Sequence, residues 1–307
     1  MAGGNLTVVM EFILLGFSDL PNLQGILFAI FLVIYLSILI GNSLLIFLIK
    51  TDSGLQTPMY FFLGNFSFLE ICYTSVTLPR MLADLWTQKR TISFLACAVQ
   101  TCFFFILGVA ECLLLAVMAY DRYVAICKPL YYPLIMNHNV CVQLVIASWM
   151  IGVPVLIEQT YQIFSLNFCG PNKINHIFCD APPLFKLACG DTYKIEVSVH
   201  VVAQLFILTP FLLILASYVK IITTILKLPS TSGRSKAYST CFSHLMVVCL
   251  FYGSGSTVYF QPKSGHSAGS VKVFALFYTT VTPMFNPLIY SLRNKDVVTA
   301  LSKLLPK

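Results

Sequence analysis

The feature that most constrains the fold is a series of seven long stretches with almost no charged residues. The first, residues 20–49, has none at all, and Asp19 and Lys50 bracket it. Each stretch approaches the roughly 20 residues that an α-helix needs to cross the hydrocarbon core of a bilayer. We therefore predict an all-α membrane protein, one domain over residues 1–307, folded as a bundle of seven transmembrane helices. The predicted spans are about 23–49, 58–83, 93–123, 140–158, 196–227, 236–261 and 271–292, between tails at 1–22 and 293–307.

Composition supports a bilayer as the solvent of this chain. Hydrophobic residues make up 58% of the sequence and charged residues only 10%, whereas soluble domains carry about a quarter charged residues. The net charge of +7 is better explained by a membrane orientation than by a nucleic-acid partner. We expect neither a removable signal peptide, since the first 19 residues lack Lys and Arg, nor an enzyme, a transporter with repeated halves or a channel.

The distribution of basic residues predicts the orientation. With the N-terminus outside, the cytoplasmic side holds eleven basic and three acidic residues, and the outer side holds eight basic and seven acidic ones. This asymmetry follows the positive-inside rule, so we expect a multi-pass plasma-membrane protein with an extracellular N-terminus. Asn5 starts an Asn-Leu-Thr sequon on that tail and is the predicted glycosylation site. The tail at 293–307 alternates basic and apolar residues, which predicts a short amphipathic helix on the inner leaflet, in contact with lipid.

Four of the eleven cysteines lie on the predicted outer side, at Cys97 and, in the second outer loop, at Cys169, Cys179 and Cys189. That compartment is oxidising, so disulfides are expected there. Four cysteines allow three pairings, and the residues alone do not choose between them. Two bridges would hold the loop as a lid over the mouth of the bundle.

Two carboxylic acids fall inside predicted spans, Glu70 in the second and Glu111 in the third. Ionisable groups within a membrane are costly and are functional candidates by default. Together with Asn42 and Asn286 they predict an internal polar cluster suited to a proton or a sodium ion, which is the only metal we expect. A protonated, merely hydrogen-bonded Glu is the simpler alternative.

Five ordered motifs resemble those of vertebrate olfactory receptors, a family of rhodopsin-like G-protein-coupled receptors. They are EFILLGF at 11–17, LQTPMYFFL at 55–63, MAYDRYVAIC at 118–127, KAYSTCFSHL at 236–245 and PMFNPLIYSLRN at 283–294. Three positions depart from the family pattern: Gln56 stands for the usual His, Tyr238 for Phe, and Glu70 for Asp. The short N-terminal tail and the three-cysteine loop resemble the tetrapod (class II) branch.

The resemblance implies a function and a set of site residues. A small, largely apolar volatile ligand would bind in the outer half of the bundle and activate a stimulatory olfactory-type G protein, which raises cAMP. The implied ligand-binding residues are Phe104, Phe105, Gly108, Val109, Cys112, Val202, Phe206, Tyr252, Gly255, Ser256, Tyr259, Tyr278 and Thr279. Helix packing is the alternative role of each. The implied switch and G-protein coupling residues are Asp121, Arg122, Tyr123, Tyr218, His244 and Tyr290.

Two alternatives remain open at this point. The working disulfide pairing is Cys97 with Cys179 and Cys169 with Cys189, and a Cys97–Cys189 bridge is the alternative. The competing function is that of a non-olfactory rhodopsin-like receptor for another small ligand. An acidic residue in the outer half of span three would favour a receptor for amines, but residues 101–109 carry no charge.

Overall fold

The structure is a computed structural model that describes residues 9–169, 171–227, 231–259, 268–292 and 295–304. Within helices, the side chains of 231–240, 258–259, 268, 270, 291–292, 295 and 304 lie outside the description. The predicted glycosylation site Asn5 also lies outside the described residues. The helices are α1 (Gln24–Thr51), α2 (Pro58–Thr87), α3 (Phe94–Cys127), α4 (Tyr132–Ile135), α5 (His138–Met150), α6 (Val153–Phe164), α7 (Ala181–Phe185), α8 (Tyr193–Ala203), α9 (Thr209–Leu226), α10 (Thr231–Tyr259), α11 (Ala268–Leu276), α12 (Thr282–Leu292) and α13 (Lys295–Leu304).

Seven helical rods form the bundle, and several of them are composite. Among the described residues, five rods are long and apolar enough to cross a membrane: Pro21–Thr51, Pro58–Thr87, Phe94–Cys127, His138–Phe164 and Tyr193–Leu226. Helix α10 supplies the sixth rod. The seventh consists of α11, a π-helical turn at Phe277–Val281 and α12. The predicted seven-helix class is confirmed, and α13 is the predicted short amphipathic helix after the last span.

Helix α1 shows why the chain needs an apolar solvent. Phe31, Ile38 and Leu45 are buried, while Ile26, Val33, Ile40 and Phe47 are exposed. Both sets recur every seventh residue, which places each on one face of a helix. A helix that is apolar on its buried face and on its exposed face fits a lipid environment.

Local sequence signals set several helix ends. Pro58 occupies the first turn of α2, where its missing N–H costs no hydrogen bond. Ser93 caps α3 by accepting a hydrogen bond from the Ala96 N–H at 3.2 Å, and Asn137 caps α5 through the Val140 N–H at 3.1 Å. The fourth rod breaks at Gly152, between α5 and α6. The fifth rod contains a π-helical turn at Gln204–Leu208.

A three-stranded sheet covers one end of the bundle, which we call the sheet end. Its strands are β1 (Glu11–Leu14), β2 (Thr91–Ser93) and β3 (Lys173–Ile174), in the order β2-β1-β3. Strand β1 pairs antiparallel with β2 and parallel with β3. Phe12 and Leu14 point into a small core beneath the sheet that is separate from the main core of the bundle.

Candidate ligand-binding site

A cavity of about 100 Å³ lies inside the bundle, towards the sheet end. Its walls come from α2, α3, α6, α8, α10 and both π-helical turns. The lining residues are Tyr73, Phe104, Phe105, Gly108, Val109, Cys112, Leu156, Gln159, Val199, Val202, Ala203, Phe206, Ile207, Phe251, Tyr252, Gly255, Ser256 and Tyr278. Among the residues that the structure describes, no acidic or basic side chain lines the cavity. The cavity suits an uncharged, mostly apolar molecule.

Helix α3 supplies the central wall. Successive residues of a helix advance by 100°, so Phe104 and Gly108 fall close to one face. The Phe104 ring stacks on Tyr73, with ring centroids 5.4 Å apart, and also contacts Phe178 at 4.6 Å. At Gly108 an added Cβ would meet only Tyr73, at 3.9 Å. The absence of a side chain there leaves the space that the cavity occupies.

The structure brings most of the predicted ligand-binding residues together around this cavity. Thr279 is the exception: its hydroxyl donates to the Ala275 carbonyl at 2.7 Å, and the residue does not line the cavity. The side chain of Tyr259 lies outside the described residues. Lining the cavity is a geometric finding, and the ligand-binding role of each residue stays a prediction.

Several lining residues escaped the sequence reasoning. They are Tyr73, Leu156, Gln159, Val199, Ala203, Ile207 and Phe251. A sequence signal for Gln159 exists, because Leu156, Gln159 and Ile163 follow helical spacing and therefore share one face of the helix. The residues implied by the family resemblance did not include any from the fourth span.

Disulfides and hydrogen bonds fix the segment over the cavity mouth. Cys97 is bonded to Cys179 and Cys169 to Cys189, with Cα–Cα distances of 5.5 and 5.9 Å. These are the two bridges of the working pairing, and the alternative Cys97–Cys189 bridge is not the one that the structure contains. The Thr101 hydroxyl donates to the Cys179 carbonyl at 3.1 Å, and the Cys179 N–H donates to Gln100 Oε1 at 3.0 Å. The loop is therefore held directly on the first turns of α3.

The N-terminal segment is attached to the same lid. The Lys272 ammonium, at the start of the seventh rod, donates to the Gly16 carbonyl at 2.8 Å and lies 3.7 Å from an Asp19 carboxylate oxygen. The Gly16 N–H donates to the His176 carbonyl at 3.0 Å. His176 is 1% exposed, and this burial lowers the pKa of its ring to about 4, with a smaller effect from the Lys272 charge. The imidazole is therefore neutral near pH 7.

Below the cavity lies the buried polar cluster. Glu70 and Glu111 are fully buried and close enough to interact electrostatically. The Asn286 amide donates to Glu70 Oε1, whereas Asn42 donates to the Ile38 carbonyl of its own helix at 3.0 Å. Among the described residues, Glu70 Oε2, both Glu111 carboxyl oxygens and Asn286 Oδ1 have no hydrogen-bond partner. Four buried oxygens without partners suit a proton or a hard cation such as sodium.

Most of the predicted switch residues gather at the far end of the bundle. The Tyr218 hydroxyl and His244 Nδ1 are 2.9 Å apart and link α9 to α10. The Tyr132 hydroxyl donates to Asp121 at 2.9 Å, and Arg122 lies within electrostatic range of Asp121, Tyr218, His244 and Tyr290. Tyr123 lies outward, near Tyr120 and under the Lys128 ammonium.

Helix α13 docks beside this region. The Lys303 ammonium lies 2.6 Å from Asp52 Oδ2, and this hydrogen bond is the main reason that the pKa of Asp52 is lowered. The Tyr60 hydroxyl donates to Asp296 at 3.1 Å. Val297 and Ala300 are buried. One side of α13 therefore packs on the protein next to the Ser53–Leu55 turn.

The chain has the seven-helix fold of rhodopsin. Squid rhodopsin superimposes with a TM-score of 0.73 over 92% of this chain and 81% of that chain, at 19% sequence identity. The sequence is more specific than the fold. The olfactory receptor family model matches residues 31–307, and human olfactory receptor 10AG1 is 62% identical over 97% of this chain and 99% of its own length. Human olfactory receptor 10A5 is 56% identical over 100% of this chain and 97% of its own length.

The chain belongs to the olfactory receptor family. It is a multi-pass membrane protein and an odorant-type G-protein-coupled receptor, with a small-molecule ligand and a G protein as its partners. The predicted family and the expectation that it is a signalling receptor are confirmed.

One pentapeptide, GHSAG at 265–269, matches the Gly-x-Ser-x-Gly pattern of serine hydrolases. Sequence motifs alone therefore do not exclude an enzyme. The hydrolase serine follows a strand directly and sits on a sharp turn into a helix. In this chain Ala268 begins α11, and residues 265–267 lie outside the described residues. Membership of a receptor family settles the point: the protein is not an enzyme.

Proposed function

We propose that this receptor binds small, largely apolar volatile molecules in the cavity and activates a stimulatory olfactory-type G protein, which raises cAMP. The observation that carries the proposal is the cavity itself, whose lining is apolar and aromatic with a few hydroxyl and amide groups. Charged ligands would lose their hydration there without gaining an opposite charge. Alcohols, aldehydes, ketones, esters and aromatic compounds fit this lining better than carboxylates or amines.

The proposed orientation places the sheet end outside the cell, in the plasma membrane. The two disulfides at that end fit an oxidising compartment, and Asn5 would carry a glycan. The far end then faces the cytoplasm, where the basic residues meet anionic lipid and the G protein. Helix α13 would lie along the inner leaflet, with the exposed Lys303 on the lipid side.

Ligand binding would reach the far end through α10. Tyr252 lines the cavity, and its hydroxyl donates to the Cys112 carbonyl of α3 at 3.2 Å. On the same helix, His244 contacts Tyr218 near Arg122. A ligand that fits the cavity better when α10 has moved would favour that arrangement, because an agonist acts only through differential affinity for two states. Outward movement of α10 would free Arg122 and open a cleft for the G protein.

The buried carboxylate pair is the proposed site of a sodium ion or a proton. Glu70 and Glu111 would hold it, with Asn286 contributing its amide oxygen. A bound sodium ion or proton would offset one of the two negative charges in the resting state. Asn42, which bonds within its own helix, would contribute by packing.

Two glycines of α10 give a direct test of the cavity. An added Cβ meets no atom within 4 Å at either Gly255 or Gly253, but only Gly255 lines the cavity. We expect the leucine side chain of Gly255→Leu to fill space that the ligand would occupy. The concentration of odorant for a half-maximal response should rise by about tenfold or more, which corresponds to a loss of about 1.4 kcal/mol of binding free energy. Gly253→Leu adds the same side chain on the exposed side and should leave the response unchanged. The measurement is cAMP in cells that co-express the olfactory G protein, after an odorant panel, with surface delivery quantified.

Equal dose–response curves for the two leucine variants would contradict ligand binding in this cavity. A wild-type receptor that reaches the surface and answers no volatile compound, but responds to a non-volatile metabolite, would favour the competing function as a receptor for another small ligand. Activation without a rise in cAMP would contradict the proposed G-protein type.

A further inference from the structure

The cavity wall contains one buried polar group whose hydrogen bonding is incomplete. Gln159 of α6 is 4% exposed and lines the cavity. Its amide nitrogen donates to the Ser198 hydroxyl of α8 at 2.7 Å. Its carbonyl oxygen, Oε1, has no hydrogen-bond partner among the described residues. Buried side-chain acceptors are almost always paired, so the unpaired oxygen indicates a donor that is absent from the protein alone.

Two polar groups beside the cavity are already engaged in hydrogen bonds with the protein. The Tyr252 hydroxyl donates to the Cys112 carbonyl, and the Ser198 hydroxyl is the partner of the Gln159 amide nitrogen. Leu156 on the same helix and Val199 on α8, which are both apolar, also line the cavity. Among the described residues, no protein group donates a hydrogen bond to Oε1.

We propose that Gln159 determines ligand specificity by accepting a hydrogen bond from a ligand hydroxyl, so that the preferred ligands are apolar alcohols and phenols. This inference rests on the proposed function and narrows it. An ether, ester, ketone or aldehyde of the same shape has only acceptors and would leave Oε1 buried and unpaired. A site that contains such a group discriminates strongly against analogues without the matching polar group.

The Ser198 contact places the amide nitrogen of Gln159 on the α8 side and leaves Oε1 without a partner. A serine hydroxyl can donate to an amide oxygen as well as accept from an amide nitrogen, so the assignment of the oxygen to ligand recognition is part of the proposal. Ser198 acts as a positioning residue, and its loss should blur the preference rather than remove binding.

The test compares matched compounds on the full-length receptor in cells. The probes are aliphatic and benzylic alcohols and phenols, each beside the methyl ether and, where it exists, the aldehyde of the same skeleton. For the wild type we expect half-maximal cAMP at about tenfold lower concentration for the hydroxyl compound than for its ether, the effect of one hydrogen bond. In Gln159→Leu the ratio should fall to about one because the acceptor is gone, and in Ser198→Ala it should shrink. Gln162→Leu is the matched control, since Gln162 lies one turn further along α6, bonds to Glu158 and does not line the cavity.

Each outcome bears on a different statement. An unchanged alcohol-to-ether ratio in Gln159→Leu would overturn the role of Gln159. A wild-type preference for ethers or ketones that disappears in Gln159→Leu would mean that the amide nitrogen meets the ligand, and would overturn the donor-ligand assignment. Activation by ethers but by no alcohol would overturn this inference and leave the proposed function intact. Silence towards every compound, with Gly255→Leu and Gly253→Leu equally silent, would count against both.

Discussion

At the scale of single residues, the buried carboxylates Glu70 and Glu111 are the most demanding groups in the bundle. Both are fully buried, and only one of their four oxygens has a hydrogen-bond partner among the described residues. Two charges in this position would repel each other and would lack hydration. Occupancy by a cation or a proton offsets one of the two charges and so removes much of their mutual repulsion.

Replacement of Glu111 by Gln tests the proposed sodium site. We expect the melting temperature of the wild-type receptor in lipid nanodiscs to be higher in sodium chloride than in choline chloride at equal ionic strength, because binding to the folded state stabilises it. Glu111→Gln removes one charge with little change in volume and should abolish the difference. Glu158→Gln, on the exposed side of α6, is the control and should keep it. An identical sodium effect in Glu111→Gln would contradict the site.

His176 gives the lid a pH dependence. Burial holds the pKa of the folded ring at about 4, below its ordinary value of 6.5. Between these values the unfolded chain binds a proton that the folded chain does not, so stability falls as pH decreases through this window and is constant above it. The total loss is roughly 3 kcal/mol at most, at about 1.4 kcal/mol per unit of pKa.

Melting of the receptor between pH 7 and pH 4 measures this effect. His176→Gln should flatten the dependence relative to the wild type, whereas His200→Gln, exposed on α8, should not. Hydrogen exchange should show the protonation-linked loosening first at the amides of β1 and β3, which flank His176. A wild type whose stability does not change over this range would refute the prediction.

At the scale of secondary-structure elements, the fourth rod breaks where Pro154, which has no N–H to donate to the preceding turn, follows the closely packed Gly152. At Gly152 an added Cβ would lie 2.9 Å from Val109 Cγ1 and 3.1 Å from Leu156 Cδ1. Val109 is β-branched and stiff about its first torsion, so it gives way poorly. Glycine lets α6 approach α3 closely at the level of the cavity, since both neighbours also line it.

Gly152→Ala should therefore destabilise the receptor and disturb the cavity. We expect a loss of about 1–3 kcal/mol, typical of overpacking, and a lower melting temperature. Gly64→Ala is the control, because its Cβ would meet Ile49 only at 3.7 Å or beyond, an ordinary contact. An equal melting temperature for both variants would show that α6 adjusts without cost.

Prediction from sequence succeeded where local periodicity carries the information. Uncharged stretches near membrane length fixed the number of spans, and the alternating pattern after residue 292 predicted α13. The sheet was not predicted, because β1 pairs with β2 and β3 across 80 and 160 residues of chain, and no local pattern encodes such pairing. The π-helical turns also escaped, since one extra residue in a turn leaves no signature in hydropathy.

Most of the residues that line the cavity could be predicted from family motifs and from the faces of the helices. Phe104 and Gly108 follow from the spacing on α3. Gln159 was missed although it shares a helix face with the apolar Leu156 and Ile163, and Thr279 was included although its hydroxyl turns to its own helix. Side-chain direction decides such cases, and it depends on tertiary packing that a single sequence does not specify.

At the scale of the whole molecule, the cavity and the Arg122 region must be coupled for the receptor to signal. Arg122→Ala should abolish or strongly reduce ligand-dependent cAMP, because the cation is proposed to change partners when α10 moves. Lys89→Ala, which removes an exposed cation at the sheet end, is the control and should signal normally at equal surface delivery. Equal responses from Arg122→Ala and the wild type would refute the proposed switch.

The position of β1 also sets an order of events during biosynthesis. The earliest strand to be made is the middle strand of the sheet, so it cannot be paired on both sides until Ile174 has been synthesised. Cys179, the partner of Cys97, follows only five residues later. The sheet and the Cys97–Cys179 bridge can therefore form only after four spans have been made. A chain stalled before this point would carry an unpaired strand edge, the kind of surface that chaperones and quality control recognise.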